Sequence, residues 1–264
     1  MGFLHLFLLS VVQGITEFLP ISSSAHLVLF PKAFGAADQG LVIDLAVHVG
    51  SLLAVLLVFR RDIGHVAGTA LFYKKAKKND KTLLWNIGIA ALPVLIVGWA
   101  MHHHFPDGVR DVAVLSVASI IFGLFLFFAD RFGKTDKTAE VMTGKDALMI
   151  GLAHICALVP GASRSGVTMT MARACGLSRV EAARFSLLIG VPVIAGAGFL
   201  GLLDVIRQGN AALGFDALLA VLLSFAASWL SIVLMMRWLK KSTFLPFVIY
   251  RLCFGVAALI FFAY

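Results

Sequence analysis

Long runs of apolar residues dominate the pattern of this chain. A helix needs about 20 apolar residues to cross the hydrocarbon core of a bilayer. Six stretches approach or reach that length: 43–59, 83–101, 112–129, 185–203, 217–236 and 247–263. Because lipid offers no partner for backbone N–H and C=O groups, each stretch is predicted to be a transmembrane α-helix.

Two further apolar regions, 2–31 and 147–175, are interrupted near the middle by proline and a cluster of serines. Neither reads as an uninterrupted span, so we predict two re-entrant helical hairpins. Non-helical backbone at membrane depth is tolerated only where it is buried in protein or lines a wet cavity. The fold class predicted is therefore an all-α integral membrane protein with six transmembrane helices and two re-entrant hairpins.

Composition supports this prediction, since hydrophobic residues make up 60% of the chain and charged residues only 14%. A water-soluble domain of this size could not hide so much apolar surface. The net charge of +8 could suggest nucleic acid, but the basic residues cluster within 60–81, 131–145, 173–184 and 237–241. The positive-inside rule places these segments in the cytoplasm, so we predict membrane lipids and no nucleic acid as partners.

This orientation puts both termini outside and makes the two hairpins enter the membrane from opposite sides. Shifting the chain by 140 residues pairs Leu19-Pro20 with Val159-Pro160, and Ser23 with Ser163. We therefore predict a single membrane domain, 1–264, with an inverted repeat of halves at about 1–130 and 141–264 joined by a cytoplasmic loop. Such a repeat brings both proline-broken tips together near the midplane.

The first tip, TEFLPISSSAH at 16–26, carries acid–base groups in apolar surroundings. Glu17 is the only acidic residue before Asp38, and Gln13 lies one helical turn earlier. A serine run precedes His26, which titrates near neutrality. Asp44 and His48, near the start of the first span, are further candidates for lining a cavity.

The second tip, LVPGASRSGVT at 158–168, holds Arg164 between two serines and close to two glycines. An arginine in a membrane interior is costly and normally paired, so it is a functional candidate. Its planar fork suits phosphate oxygens, and a helix beginning near Ser165 would direct free N–H groups at the same anion. The alternative is that Arg164 merely pairs with Glu17 to stabilise the fold.

Together the tips predict an anion site with a nucleophile and a base, which suits phosphoryl transfer. The competing class is a transporter or flippase for lipid phosphate or another anion. A transporter needs no nucleophile and would tolerate Ser23→Ala and His26→Ala better than an enzyme.

The motifs QGITEFLPISSSAH (13–26) and PGASRSG (160–166) resemble those of the bacterial undecaprenyl-diphosphate phosphatases. The flanking text VHVGSLLAVLLVFRRD (47–62) and FLPFVIYR (244–251) extends the resemblance over nearly the whole chain. It implies hydrolysis of undecaprenyl diphosphate to undecaprenyl phosphate and inorganic phosphate, which recycles the lipid carrier of cell-wall synthesis. It also implies bacitracin resistance and a divalent cation, Mg²⁺ or Ca²⁺.

Carried over by position, the resemblance makes Glu17, Ser23, His26 and Arg164 catalytic, with Glu17 also a metal ligand through the diphosphate. The predicted substrate-binding residues are Gln13, Ser22, Ser24, Gly161, Ser163, Ser165 and Gly166. Many relatives have Glu at position 13, and a neutral amide cannot supply a second carboxylate to a metal.

Two mechanisms stay open at this point. Either Ser23 attacks the terminal phosphorus while His26 takes its proton, or His26 or Glu17 activates water directly. We expect the site to open to the outer face and the polyprenyl tail to lie against apolar walls. The prediction also allows a homodimer.

Overall fold

The computed structural model describes residues 2–35, 40–104, 111–135, 137–207 and 214–262. Within these ranges the chain forms eleven α-helices and two short 3-10 helices, Tyr73–Lys75 and Cys156–Leu158. The α-helices are α1 Phe3–Thr16, α2 Ser23–Phe34, α3 Leu41–Val58, α4 Arg60–Leu71, α5 Lys78–His104, α6 Val112–Phe132, α7 Gly144–Ile155, α8 Arg164–Ala174, α9 Arg179–Arg207, α10 Phe215–Leu239 and α11 Leu245–Phe262.

Six of these helices, α3, α5, α6, α9, α10 and α11, are long and apolar enough to cross a membrane. They coincide with the six predicted spans, so the all-α, multi-pass membrane fold is confirmed. Helices α5 and α9 begin several residues before the apolar runs do, at Lys78 and Arg179. A helix can continue outside the hydrocarbon with polar residues, which hydropathy alone does not detect.

The two interrupted regions each form a pair of helices: α1 and α2 are joined by a non-helical turn, and α7 and α8 are joined by the 3-10 helix Cys156–Leu158 and the turn that follows it. Helix α1 has 14 residues and α2 has 12. At a rise of about 1.5 Å per residue, neither alone reaches across a hydrocarbon core of about 30 Å. Their entry from opposite sides of the membrane stays a prediction.

The segment predicted as a basic cytoplasmic loop, 60–81, is largely helical. Helix α4 fills most of it, followed by the 3-10 helix and the start of α5. Apolar residues are too few here for a membrane span, so hydropathy indicated only a polar connection. An ion pair between Arg184 on α9 and Asp62 on α4 ties this helix to the membrane helices.

Each hairpin packs its first helix along a transmembrane helix of the other half: α1 lies on α10, and α7 lies on α5. Glycine allows both approaches. A Cβ at Gly14 would lie 2.7 Å from the Ser224 carbonyl oxygen, and one at Gly151 would lie 2.9 Å from the Ala90 Cα. The turn between α1 and α2 enters the largest core cluster, where Phe18 is fully buried. Both tips therefore belong to the interior of the helix bundle.

Candidate active site

The two proline-broken tips touch each other, as the sequence predicts. The Ser165 hydroxyl donates a hydrogen bond to the Leu19 carbonyl, with an oxygen–oxygen distance of 2.9 Å. Arg251, from α11, is fully buried, and its Nη2 donates to the carbonyls of Gly161 and Ala162 at 2.9 and 2.8 Å. Arg251 has no predicted role, because nothing in the sequence around it shows which backbone carbonyls it contacts.

Glu17 lies at the centre of the contact between the tips. Its Oε2 accepts hydrogen bonds from Gln13 Nε2 at 2.9 Å and from Ser23 Oγ at 2.7 Å, and its Oε1 accepts one from Arg164 Nη2 at 2.9 Å. Gln13 lies one turn earlier on α1, and Ser23 begins α2 after the turn. The carboxylate is therefore bound by three donors from α1, α2 and α8.

Arg164 is the first residue of α8, so its position depends on the start of that helix. Ser163 is the N-cap, with its Oγ accepting a hydrogen bond from the Gly166 N–H at 3.1 Å. The Arg164 Nη1 is buried and has no hydrogen-bond partner among the described residues. Gly190 on α9 faces it, and a Cβ there would overlap Nη1. A buried N–H group without an acceptor is costly, which makes Nη1 a candidate for binding an anion.

A cavity of about 300 Å³ opens beside this pair, between the N-terminal part of α3 and the C-terminal half of α9. Glu17, Arg164, Asp44 and His48 provide its polar wall, and apolar residues complete it, among them Leu41, Leu45, Val193, Ile194 and Ala197. Asp44 and His48 thus line the cavity, as the sequence suggested. The His48 Nδ1–H donates to the Asp44 carbonyl at 2.7 Å, and His48 Nε2 lies 3.9 Å from Glu17 Oε2.

His26 is held differently from the predicted serine–histidine pair. Its Nδ1–H donates to the Ser22 carbonyl at 2.7 Å, and its Nε2 lies 2.6 Å from the Tyr250 hydroxyl. The ring also stacks on Phe254, with 4.3 Å between centroids. Ser23 donates to Glu17 instead. Sequence reasoning missed Tyr250, which is 224 residues away along the chain.

The remaining predicted binding residues surround the tips without lining the cavity. Ser22 Oγ lies 3.2 Å from Ser24 Oγ, and Ser163 Oγ lies 3.2 Å from Ser165 Oγ. Gly161 has a φ of 89°, and a Cβ there would collide with the backbone of α6. The close approach that this glycine allows is therefore to a neighbouring helix. The roles of these residues in binding substrate stay predictions.

The divalent cation that the family resemblance implies requires oxygen ligands. Among the described residues, no group of three or more His, Cys, Asp and Glu side chains lies close enough to hold a metal ion by itself. Glu17 and Asp44 do line one cavity. Mg²⁺ commonly binds through one or two carboxylates plus substrate phosphates, so this pair fits an ion shared with a diphosphate.

The charges at the tips favour an anion overall. Arg164, which is partly buried, and Arg251, which is fully buried, are accompanied at the tips by the single carboxylate of Glu17. Arg251 donates its N–H groups to backbone carbonyls. Its positive charge therefore has no ionic partner among the described residues. At the tips these charges sum to a net positive value, which favours a phosphate group, while Asp44 on the cavity wall offsets one positive charge.

The fold and site define a class: a multi-pass helical membrane protein whose two broken hairpins enclose an arginine–carboxylate site. Within this class, the family model described as bacitracin resistance protein BacA matches residues 6–257, and the chain belongs to this family. It is 44% identical to an undecaprenyl-diphosphatase of Maricaulis maris over 267 residues, 99% of this chain and 100% of that protein. It is 42% identical to the undecaprenyl-diphosphatases of Alteromonas mediterranea and Roseobacter denitrificans, over 98% and 99% of this chain and of theirs.

Proposed function

We propose that this protein hydrolyses undecaprenyl diphosphate to undecaprenyl phosphate and inorganic phosphate. The observation that carries the proposal is the Arg164 Nη1, a buried cationic donor without a partner among the described residues, beside the Ser23–Glu17 hydrogen bond. The names of the relatives agree with it. Recycling of the lipid carrier and bacitracin resistance follow from this activity.

In this proposal the diphosphate lies in the cavity between α3 and α9, and its terminal phosphate reaches past Glu17 to Ser23, which does not itself line the cavity. Arg164 keeps Glu17 in place through Nη2 and binds a phosphate oxygen through Nη1, so one guanidinium serves both groups. The apolar residues of α3 and α9 accept the first part of the polyprenyl tail. Apolar burial gives affinity with little discrimination among chain lengths.

The hydrogen bond at 2.7 Å from Ser23 to Glu17 supports the carboxylate as the proton acceptor. The Ser23 oxygen attacks the terminal phosphorus, its proton passes to Glu17, and the bond to the bridging oxygen breaks to release undecaprenyl phosphate. Water then hydrolyses the phosphoserine and releases inorganic phosphate. His26, bound to Ser22 and Tyr250, orients the start of α2 in this scheme.

Glu17 and Asp44 would hold a divalent cation, Mg²⁺ or Ca²⁺, together with the diphosphate oxygens. Such an ion supplies charge neutralisation to the phosphate groups. Gln13 contributes an N–H to Glu17 and no charge, which agrees with a site where Asp44 supplies the second carboxylate.

We also propose that the protein lies in the bacterial plasma membrane with both termini outside. The basic segments 60–81 and 237–241 support a cytoplasmic side opposite the cavity. The cavity is lined by Leu41 at the start of α3 and by Gly201 in the last turns of α9, the ends that this orientation directs outward. The homodimer stays a prediction.

The test is phosphate release from undecaprenyl diphosphate by the purified, detergent-solubilised protein with Mg²⁺, with Ca²⁺ and with EDTA. Wild type is compared with Ser23→Ala and with a matched control, Ser10→Ala. Among the described residues, the Ser10 hydroxyl bonds only to the Leu6 carbonyl of its own helix. We expect cation-dependent release that Ser23→Ala lowers by at least about 10²-fold and Ser10→Ala leaves unchanged.

Two results would contradict the proposal in different ways. If folded wild type releases no phosphate with any cation, the proposed phosphatase activity is wrong and transport of an anionic lipid is favoured. If Ser23→Ala still releases phosphate, the phosphatase activity stands, but the nucleophile is water and not Ser23.

A further inference from the structure

A second, larger depression lies on the membrane-facing side of α1. It is a groove of about 1080 Å³ between α1, α10 and the start of α11. Its walls are apolar over most of their length, with Phe7, Val11, Ile15 and Leu19 spaced along one face of α1. We call it the α1–α10 groove.

The α1–α10 groove is separate from the candidate active site. Gln13 and Glu17 face the cavity side of α1, whereas Ile15 and Leu19 face the groove. None of the residues predicted to be catalytic or substrate-binding lines it. The groove is therefore not the site of the diphosphate group.

Positive charge is confined to one end of the groove. Arg237 and Lys241 lie there, together with Ser242 and the indole of Trp238. The indole N–H donates to the Thr243 carbonyl at 2.9 Å, which holds the ring at the rim. The positive-inside rule puts this end at the cytoplasmic membrane surface, the depth that tryptophan and basic side chains favour.

These two cations have no ionic partner among the described residues. Neither Arg237 nor Lys241 forms an ion pair with a carboxylate in the part of the chain that the structure describes. Three arginines elsewhere on the predicted cytoplasmic side are paired instead: Arg173 and Arg179 with Asp130, and Arg184 with Asp62. The groove thus combines an apolar wall with uncompensated positive charge at one end.

We propose that the α1–α10 groove binds an anionic phospholipid of the cytoplasmic leaflet. Its phosphate contacts Arg237 and Lys241, and an acyl chain runs along α1 towards Phe7. A zwitterionic lipid would cover the apolar wall equally well but would not neutralise the two cations. Basic sites between helices on the cytoplasmic side are known to select anionic headgroups in this way.

The bound acyl chain would also stabilise the first tip by packing against the groove face of α1. Ile15 and Leu19 flank the turn that carries Glu17, and Ser231 on α10 donates a hydrogen bond to the Ile15 carbonyl at 3.1 Å. A chain packed on these residues restrains the end of α1. The lipid site is therefore expected to stabilise the folded protein whether or not the proposed phosphatase activity is correct.

Trp238 provides a local probe. In a background with Trp85, Trp99 and Trp229 changed to Phe, the protein is placed in phosphatidylcholine vesicles that contain brominated phosphatidylglycerol or, at equal mole fraction, brominated phosphatidylcholine. Bromine quenches a tryptophan only on close approach. We expect brominated phosphatidylglycerol to quench Trp238 more strongly, with a preference on the order of 30-fold for two basic residues near one phosphate.

The variant Arg237→Gln/Lys241→Gln should abolish this preference. The matched control, Lys74→Gln/Lys75→Gln, removes two cytoplasmic cations away from the groove and should keep it. Native mass spectrometry of the protein with all four tryptophans provides a second measurement, in which wild type retains phosphatidylglycerol and the Arg237→Gln/Lys241→Gln variant does not.

Equal quenching by the two brominated lipids in the unsubstituted groove would overturn the proposal, as would an equal loss of preference in the control variant. Protection of Trp238 from both lipids would show that a second copy of the chain covers the groove and would equally overturn it.

Discussion

Single residues at the tips are held by partners from distant parts of the chain. Glu17 is bound by Gln13 and Ser23 from its own hairpin and by Arg164 from the other. The pairing that sequence analysis gave as the structural alternative, Arg164 with Glu17, is thus present. It leaves one arginine N–H group free of partners among the described residues, so the pair and the anion site are compatible.

Gly190 offers a test of the arginine that avoids changing it. A Cβ at this position would overlap Arg164 Nη1, so Gly190→Ala should displace the guanidinium. We expect phosphate release to fall by roughly 10²-fold, the cost of misplacing a transition-state donor. Gly88→Ala is the control, because a Cβ there has nothing within 4 Å. Activity unchanged in Gly190→Ala would mean that Arg164 does not need its present position.

At the scale of elements, each tip ends in a serine with positive φ immediately before a helix. These are Ser22, at 74° before α2, and Ser163, at 68° before α8. Left-handed backbone costs a residue with a Cβ roughly 1 kcal/mol. The shared conformation supports the inverted repeat, which we propose. It pairs Ser22 with Ser163, one residue earlier than the sequence alignment, because the second tip has one more residue between its proline and this serine.

Arg251 joins the two tips into one unit. Besides the Gly161 and Ala162 carbonyls, its guanidinium reaches the Pro20 carbonyl at 3.4 Å. Arg251→Met should leave these buried acceptors unsatisfied and lower stability by about 1–3 kcal/mol per carbonyl lost. Thermal unfolding in detergent measures this directly.

The control for Arg251→Met is Arg207→Gln, which removes an exposed arginine whose distance to Asp204 is 3.8 Å. Exposed pairs of this kind contribute little, so the melting temperature should barely change. Equal melting temperatures for both variants would count against a joining role for Arg251.

At the scale of the whole molecule, an ion-pair network on the predicted cytoplasmic side links distant segments. Arg184 on α9 contacts Asp62 on α4, Glu140 before α7, and Glu181. Burial raises the pKa of Glu140, but hydrogen bonds and the positive charge of Arg184 outweigh this effect and leave its pKa below the usual value. The network connects the two proposed halves through their polar ends.

The direction of this pKa shift predicts a loss of stability in acid. A carboxyl whose pKa is lowered in the folded protein stabilises it above the unfolded pKa, and this contribution disappears as the pH falls through the folded value. Wild type should therefore lose more melting temperature than Glu140→Gln between pH 6 and pH 3, two conditions chosen to bracket carboxyl titration. Parallel curves for the two proteins would show that Glu140 adds no pH-dependent stability.

The sequence by itself determined the membrane fold and most of the site's chemistry. Six apolar runs specify six helices because the bilayer forces the backbone to bond within each segment. The tip residues Glu17 and Arg164 were identifiable because charge is costly in apolar surroundings and rarely occurs there without a function. Helix α4 was not predicted, because its sequence is polar and hydropathy does not distinguish a polar helix from a loop.

Only the tertiary structure decided which groups meet. Ser23 binds Glu17, His26 binds Tyr250, and Arg251 reaches the backbone of both tips. The α1–α10 groove likewise exists only once α1 packs on α10. A hydrogen bond forms only when packing sets the donor–acceptor distance to within a few tenths of an ångström of its optimum. Local sequence restricts which side chains are present at a tip but contains no information about which partner the packing brings within reach.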